Sequence, residues 1–190
     1  MKMNFTPGKI LFATLLMITS ASCTKENDAI STFNTASKST NAVHANVKTS
    51  LAIKGNPADL VKAVHSANAK YNSSSLAIMA GYQPDDHCVS VPGLGGMGYH
   101  WVNPSLVDAT FDPLKPEVLL YARGPGGNLQ LIGVEYIVIN VGQPLPMFGD
   151  QPFQVNGSPL PVPHWTLHAW IYEPNPSGMF APFNPNVTCP

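Results

Sequence analysis

The sequence predicts an α+β fold: N-terminal helices packed on a small, mostly antiparallel β-sheet with long, proline-rich ordered loops. Helix-like patterns precede residue 82, whereas all four strand-like apolar runs follow residue 88. Of the 19 prolines, 16 lie after Cys88, in a stretch with only eight charged residues. Because proline breaks helices and reduces backbone entropy in loops, that stretch is predicted to be a sheet with ordered connections.

The composition limits the class of protein. The chain has 190 residues, of which 44% are hydrophobic and 11% charged, with a net charge of -1. This length suits one folded domain with its own core. The near-zero charge argues against nucleic acid as a partner, because binding a phosphate backbone needs a basic face. The hydrophobic fraction also argues against disorder of the whole chain.

Residues 1–22 are predicted to be a lipoprotein signal peptide. Two lysines, Lys2 and Lys9, precede a short apolar run, Ile10–Ile18, and small residues lead from it to Cys23. The run is too short to span a bilayer about 30 Å thick as a helix. The Ser-Ala-Ser-Cys ending resembles the lipobox of bacterial lipoproteins, which implies that Cys23 is acylated. The alternative is an ordinary cleaved signal, with Cys23 lost or free.

Residues 23–55 are rich in Ser, Thr, Asn and Ala and lack apolar periodicity, so they are predicted to be a flexible tether. The single α+β domain is then residues 56–190. The expected location is the bacterial cell envelope, on its periplasmic face or the cell surface. The expected partner is a membrane, the outer membrane being favoured, contacted through the lipid anchor. A small-molecule or protein partner stays open.

The first helix is predicted to begin with Asn56 as N-cap and Pro57 at the first helical position. Apolar residues then recur at helical spacing: Leu60, Val64, Ala67 and Tyr71. After an interruption, Leu76–Ala80 is predicted to be a second helix, which Gly81 ends.

Four apolar runs predict the strands. They are Met97–Val102, Glu117–Ala122, Leu129–Asn140 and His164–Tyr172. The glycine-rich turn Gly124–Asn128 predicts that the second and third runs form a hairpin. The third run is apolar on both faces, so it is expected to lie in the interior of the sheet.

If Cys23 is lipidated, Cys88 and Cys189 remain. In an oxidising compartment a disulfide between them is the default expectation. The competing interpretation uses His87 and Cys88 as metal ligands, and it is weak because no Cys-x-x-Cys pattern exists.

Glu135 is the most anomalous charged residue, because apolar residues flank it within its strand. A buried carboxylate is costly unless it is paired, hydrogen-bonded or metal-bound. Strand alternation places it on one face with other residues of that run: Leu131, Gly133, Ile137 and Ile139. The alternative is a carboxylate satisfied by local backbone or a nearby histidine, without a function.

Histidines supply the other candidate site residues. His164 and His168 alternate onto one face of the last strand, and His100 lies in the first. With Glu135 they predict either an acid–base pocket or a site for a divalent transition metal. Residues four apart on a strand are about 13 Å apart, so only one of His164 and His168 is expected to join His100 and Glu135 at a metal. The favoured set is His100, Glu135 and His168, with His164 at the rim. Aromatic walls are expected from Trp101 and Trp170.

Three functions stay open. The first is a lipid-anchored envelope protein whose His/Glu pocket binds a metal or small ligand. The second is a hydrolase or lyase in which Glu135 is the base and a histidine the acid. The third is a structural or interaction module without an active site. Phosphate-binding loops, serine-hydrolase elbows and the helical HExxH pattern are missing from the sequence, so catalysis is left undecided.

Four blocks carry a resemblance: GMGYHWVNP, DPLKPEVLLYA, LIGVEYIV and HWTLHAWIYEPNPSGMFAPFNPNVTC. Between Ala77 and Cys189 the chain resembles a group of uncharacterised exported bacterial proteins, and the last block is the most specific. The resemblance implies no reaction. It does imply that the candidate glutamate and histidines belong to one arrangement with the Asn184-Pro185 ending, and that Cys88 and Cys189 are shared features.

Overall fold

The computed structural model describes residues 57–155 and 160–190, which form a mixed α+β structure. The sequence-based α+β prediction is therefore right at this level. Predictions for residues 1–22, Cys23 and residues 23–55 lie outside the described residues. Within the described ranges no helix is both long and apolar enough to cross a membrane.

Two short helices precede the sheet in the part of the chain that the structure describes. Helix α1 spans Pro57–Asn68, a 3₁₀ turn spans Ala69–Asn72, and α2 spans Ser74–Met79. Gly81 follows α2 with a φ of +100°, a left-handed conformation that glycine adopts without steric cost. The glycine therefore ends the second helix where the sequence predicted.

Within residues 57–155 and 160–190 eight strands follow: β1 (Cys88–Val91), β2 (Gly95–Val102), β3 (Val118–Arg123), β4 (Leu129–Ile139), β5 (Met147–Phe148), β6 (Gln151–Pro152), β7 (Gln154–Val155) and β8 (His164–Ala169). Six of them form one antiparallel sheet in the order β1-β2-β3-β4-β8-β7, while β5 and β6 pair separately. The predicted hairpin is confirmed as β3–β4, and β4 lies in the interior of the sheet as expected.

A disulfide fixes the C-terminal segment to the edge of the sheet. Cys88 in β1 is bonded to Cys189, with 5.6 Å between their Cα atoms, which confirms the predicted pairing. Asn184 forms an isolated bridge with Gly96 of β2. A side chain at Gly96 would come within 2.8 Å of the Val187 carbonyl oxygen. The chain end can lie this close to β2 because Gly96 has no Cβ.

The sheet has a buried cluster on each of its two faces. The first-face cluster joins the helices to the sheet and includes Leu60, Val64, Ala77, Trp101, Tyr121, Tyr136, Phe148 and Leu167. The second-face cluster is smaller and consists of Val118, Leu120, Ile132, Ile137, Trp170 and Val187. Residues that alternate along a strand are therefore buried on both sides.

A bulge in the hairpin changes the predicted alternation. Leu120 pairs with Gly133, but the next residue, Tyr121, pairs with Leu131, so Ile132 is an extra residue in β4. Leu131 consequently packs in the first-face cluster, whereas Ile137 packs in the second. The expectation that Leu131 shares the face of Glu135 is wrong, because one inserted residue reverses the alternation.

Candidate metal centre

Three strands bring His100, Glu135 and His168 together. Glu135 of β4 lies directly opposite His168 of β8 in the register. The Nε2 atom of His100 lies 3.6 Å from Glu135 Oε2, and Nε2 of His168 lies 3.9 Å from the same oxygen. One ligand atom from each residue can be chosen so that all three lie within 4.8 Å of one another. The sheet thus gathers two imidazoles around one carboxylate.

The polar atoms of this cluster are poorly satisfied. His168 is buried, and neither of its ring nitrogens has a hydrogen-bond partner. Glu135 is buried beside it and lies beyond hydrogen-bonding distance of both imidazoles. Buried polar groups in folded proteins are nearly always paired. An unpaired imidazole next to a buried carboxyl is therefore typical of a position where an ion, a water molecule or a ligand binds.

Burial decides the protonation of the cluster. It raises the pKa of Glu135 to about 8, with a smaller contribution from Glu117. It lowers the pKa of His168 to about 3, helped by the neighbouring His100. Burial also lowers the pKa of His100, against the opposing effects of Asp85 and a backbone hydrogen bond at Gly98. Near neutral pH the three side chains are therefore uncharged, with neutral imidazoles available as ligands.

The donor set fits a metal ion once the side chains close around it. Nitrogen and oxygen ligands bind transition metals at about 2.0–2.2 Å, so two ligand atoms on the same side of one ion are about 3.0–3.6 Å apart. The two Glu135–histidine distances, 3.6 and 3.9 Å, are close to this range. The widest separation in the group, up to 4.8 Å, requires the side chains to close by more than about one ångström. Rotation of the side chains about their χ angles can provide this.

The other predicted site residues lie in different places. Trp170 belongs to the second-face cluster, and its ring stacks near His168 with 6.2 Å between centroids. Trp101 does not join this site, because it follows His100 on β2 and therefore packs on the first face against Tyr121. His164 is buried rather than at a rim; Val162 O lies 2.7 Å from its Nδ1, and it is not a member of the three-residue group.

Glu117 is a buried carboxyl that the sequence analysis did not single out. Its Oε2 accepts a hydrogen bond from the backbone N–H of Ile137 at 3.0 Å. Burial raises its pKa to about 8, although that hydrogen bond acts in the opposite direction. The sequence signal for this carboxyl is a charged residue between Pro116 and an apolar strand, and by itself that pattern indicates only the start of a strand.

A cavity of about 330 Å³ lies away from this cluster. Its lining includes first-face residues such as Tyr71 and Tyr82, together with two lysines, Lys70 and Lys115. Lys115 already forms an ion pair with Asp112 at 3.4 Å. The cavity contains none of the candidate ligands, so it supports no role for them.

Comparison with known proteins provides no relative. No family model, no curated protein and no solved structure matches the chain.

Proposed function

We propose that this protein binds a divalent transition-metal ion through His100, Glu135 and His168. The observation that supports it best is His168, whose two ring nitrogens are buried without partners beside a buried carboxyl. An ion would accept a lone pair from each imidazole and charge from the carboxylate, and so would satisfy groups that the folded chain leaves unsatisfied. The cluster is otherwise costly to bury.

The ligand types favour a transition metal over calcium or magnesium. Imidazole nitrogen suits zinc, copper, iron and nickel, whereas calcium and magnesium prefer oxygen ligands. Two histidines with one carboxylate match the three-ligand sets that hold such ions in many proteins. No partner orients the Nδ1 atom of His168, and outer hydrogen bonds of that kind normally strengthen metal binding. We therefore expect moderate affinity.

The proposed setting is the bacterial cell envelope. A lipoprotein signal in residues 1–22, acylation of Cys23 and a tether over residues 23–55 would hold the α+β domain, with its helices and proline-rich loops, at a membrane. The Cys88–Cys189 disulfide supports this location, because disulfides persist in oxidising compartments. Radiolabelled palmitate incorporated into the wild-type protein but not into Cys23→Ala would support the anchor; labelling of both or neither would contradict it.

Metal content is the direct test of the binding function. The purified protein, stripped with a chelator and dialysed against Zn²⁺, Mn²⁺ or Fe²⁺, is expected to retain one ion per chain by elemental analysis. Glu135→Ala and His168→Ala should lose it. His164→Ala is the matched control, because His164 is also a buried histidine on β8 with an unpartnered nitrogen but lies outside the group. Substoichiometric metal in the wild type, or equal loss in the control, contradicts the proposal.

A second candidate function follows from the protonated carboxyl. A Glu135 pKa of about 8 suits general acid or base catalysis near neutral pH, and His100 lies beside it. A hydrolase or lyase of this kind would need no metal. Hydrolytic or lyase activity on a substrate panel that survives chelation and disappears in Glu135→Gln would favour it. Activity that is lost on chelation would favour the metal centre instead.

A further inference from the structure

We propose that an ion at this centre keeps open coordination positions, on the side away from the sheet, for water or a small exogenous oxygen or nitrogen donor. The inference rests on the proposed metal-binding function and deepens it. Metal sites with four protein ligands are structural, whereas sites with three protein ligands and an open position bind and activate small molecules. The centre described above is of the second kind.

The sheet places all three ligands on one side of the ion. His100, Glu135 and His168 lie on three strands, β2, β4 and β8, and converge from the same sheet face. Ligands that rise from one surface occupy one face of the coordination polyhedron. One position of a tetrahedral ion, or three of an octahedral ion, then point away from the sheet.

Few groups on this face can act as further ligands. The second-face cluster is built from aliphatic side chains and Trp170, and none of these has a lone pair for a metal. The indole N–H of Trp170 already donates to the Ala181 carbonyl at 2.6 Å. Within the described ranges no further His, Cys, Asp or Glu joins the group of three. The remaining positions are therefore left to an exogenous molecule.

The molecule would approach past His100. The His100 side chain is 18% exposed, compared with 5% for Glu135 and 6% for His168. The exposed residues Asp85 and His87 lie close enough to His100 to influence its charge, and they come just before β1, the strand paired with β2. Since Glu135 and His168 are buried, an approach on the His100 side would favour a ligand of a few atoms, such as azide, over the bulkier imidazole.

Cobalt spectroscopy of the full-length protein tests the inference. The chelator-stripped protein is loaded with Co²⁺, and the visible d–d bands, which report coordination number, are followed during titration with azide. We expect a saturable spectral change with the cobalt content unchanged, and at least ten-fold weaker binding of imidazole. The same titration of His164→Ala should match the wild type, because His164 lies outside the centre.

The possible failures are separable. Stoichiometric cobalt whose spectrum ignores azide would leave the binding function standing and overturn the open position. Equal binding of imidazole and azide would overturn the narrow approach past His100. A protein that takes up no cobalt, zinc, manganese or iron would overturn the binding function and this inference together.

Discussion

The two faces of the sheet differ in how fully their buried polar groups are paired. On the first face, tyrosine hydroxyls donate to backbone carbonyls, Tyr82 to Pro116 at 2.7 Å and Tyr136 to Pro113 at 2.8 Å. On the second face, Glu135 and His168 are buried, and both ring nitrogens of His168 lack a partner. A stable core of this size would gain by pairing or removing such groups.

The unpartnered buried groups of the second face identify the region of the molecule to test for a function. The first face meets the ordinary requirement of a core, apart from the unpartnered indole N–H of Trp101. The second face departs from it at the residues whose side chains converge and also at His164, whose Nε2 has no partner. Departures from good packing and pairing are expected at functional sites.

The largest effect is expected on the first face. Tyr136 is fully buried against Phe111 and Phe148, with ring centroids 5.1 and 5.8 Å away. Replacing it in Tyr136→Ala removes the ring and leaves a cavity, which should cost about 3–5 kcal/mol of unfolding free energy. Urea denaturation in the presence of a chelator measures the loss. Met79→Ala is the control, because Met79 is 82% exposed and should change stability by less than about 0.5 kcal/mol. A similar loss in both variants would contradict this assignment of the core.

The next largest effect is expected when the disulfide that links Cys189 to Cys88 of β1 is removed. The double variant Cys88→Ser/Cys189→Ser opens a loop with a sequence separation of 101. Its unfolding free energy should fall by about 2–5 kcal/mol, because the unfolded chain regains conformational freedom. Denaturant midpoints of the variant and of the reduced wild type should agree. A variant as stable as the oxidised wild type would show that the disulfide contributes little.

The sequence predicted those features of the centre that depend on neighbouring residues in the chain. Glu135 stood out because a charge interrupted an apolar strand, and alternation placed His168 on the face away from Leu167. The same rule should have excluded Trp101, since neighbours on a strand cannot share a face. The cysteines were predictable because only two remained after the proposed lipidation.

The rest depended on pairing that a single sequence does not reveal. The bulge at Ile132 follows from the register of β3 against β4 and has no composition signal. The position of Glu117 is evident only in the fold, where its Oε2 accepts a hydrogen bond from the backbone N–H of Ile137. Strands β1 and β7 are short and lie at the sheet edges, so their residues show little alternation. Long-range contacts, not local preference, decide such features.

The third effect is a dependence of stability on pH through the two buried carboxyls. In the unfolded chain Glu135 and Glu117 ionise near 4.5, whereas in the folded metal-free protein both keep their protons to about 8. The folded state then binds more protons than the unfolded state, so stability falls as pH rises through this window. His168, with a folded pKa of about 3, and His100, whose pKa folding also lowers, oppose this mainly below their ordinary 6.5. Between pH 6.5 and 8 the effect of the carboxyls dominates.

We expect the metal-free protein to lose on the order of 2 kcal/mol between pH 6.5 and 8. Denaturant unfolding at a series of pH values, with a chelator, measures it. Saturating metal should oppose the loss, because metal binding displaces the Glu135 proton and tightens as pH rises. Glu135→Gln removes one of the two carboxyls and should flatten the profile. Stability that rises across this window without metal would contradict the assigned protonation.

The smallest expected effect is the difference in unfolding free energy between two metal-free variants, one from each face. Tyr82→Phe removes a hydroxyl that is paired with the Pro116 carbonyl, and should cost about 1 kcal/mol. His168→Leu removes a ring without hydrogen-bond partners. It should therefore cost nothing, or stabilise by up to about 1 kcal/mol, because relieving an unpaired buried polar group offsets the change in packing. Chemical denaturation with a chelator resolves the two.

Added metal should then reverse the order of these variants. At a metal concentration of one hundred times its dissociation constant, a bound ion stabilises the native state by about 2.7 kcal/mol. Wild type and Tyr82→Phe should both gain this increment, and His168→Leu should not, because it lacks a ligand. A histidine kept for packing would behave in the opposite way. Its loss would destabilise the metal-free protein, and the response to metal would be the same in all three proteins.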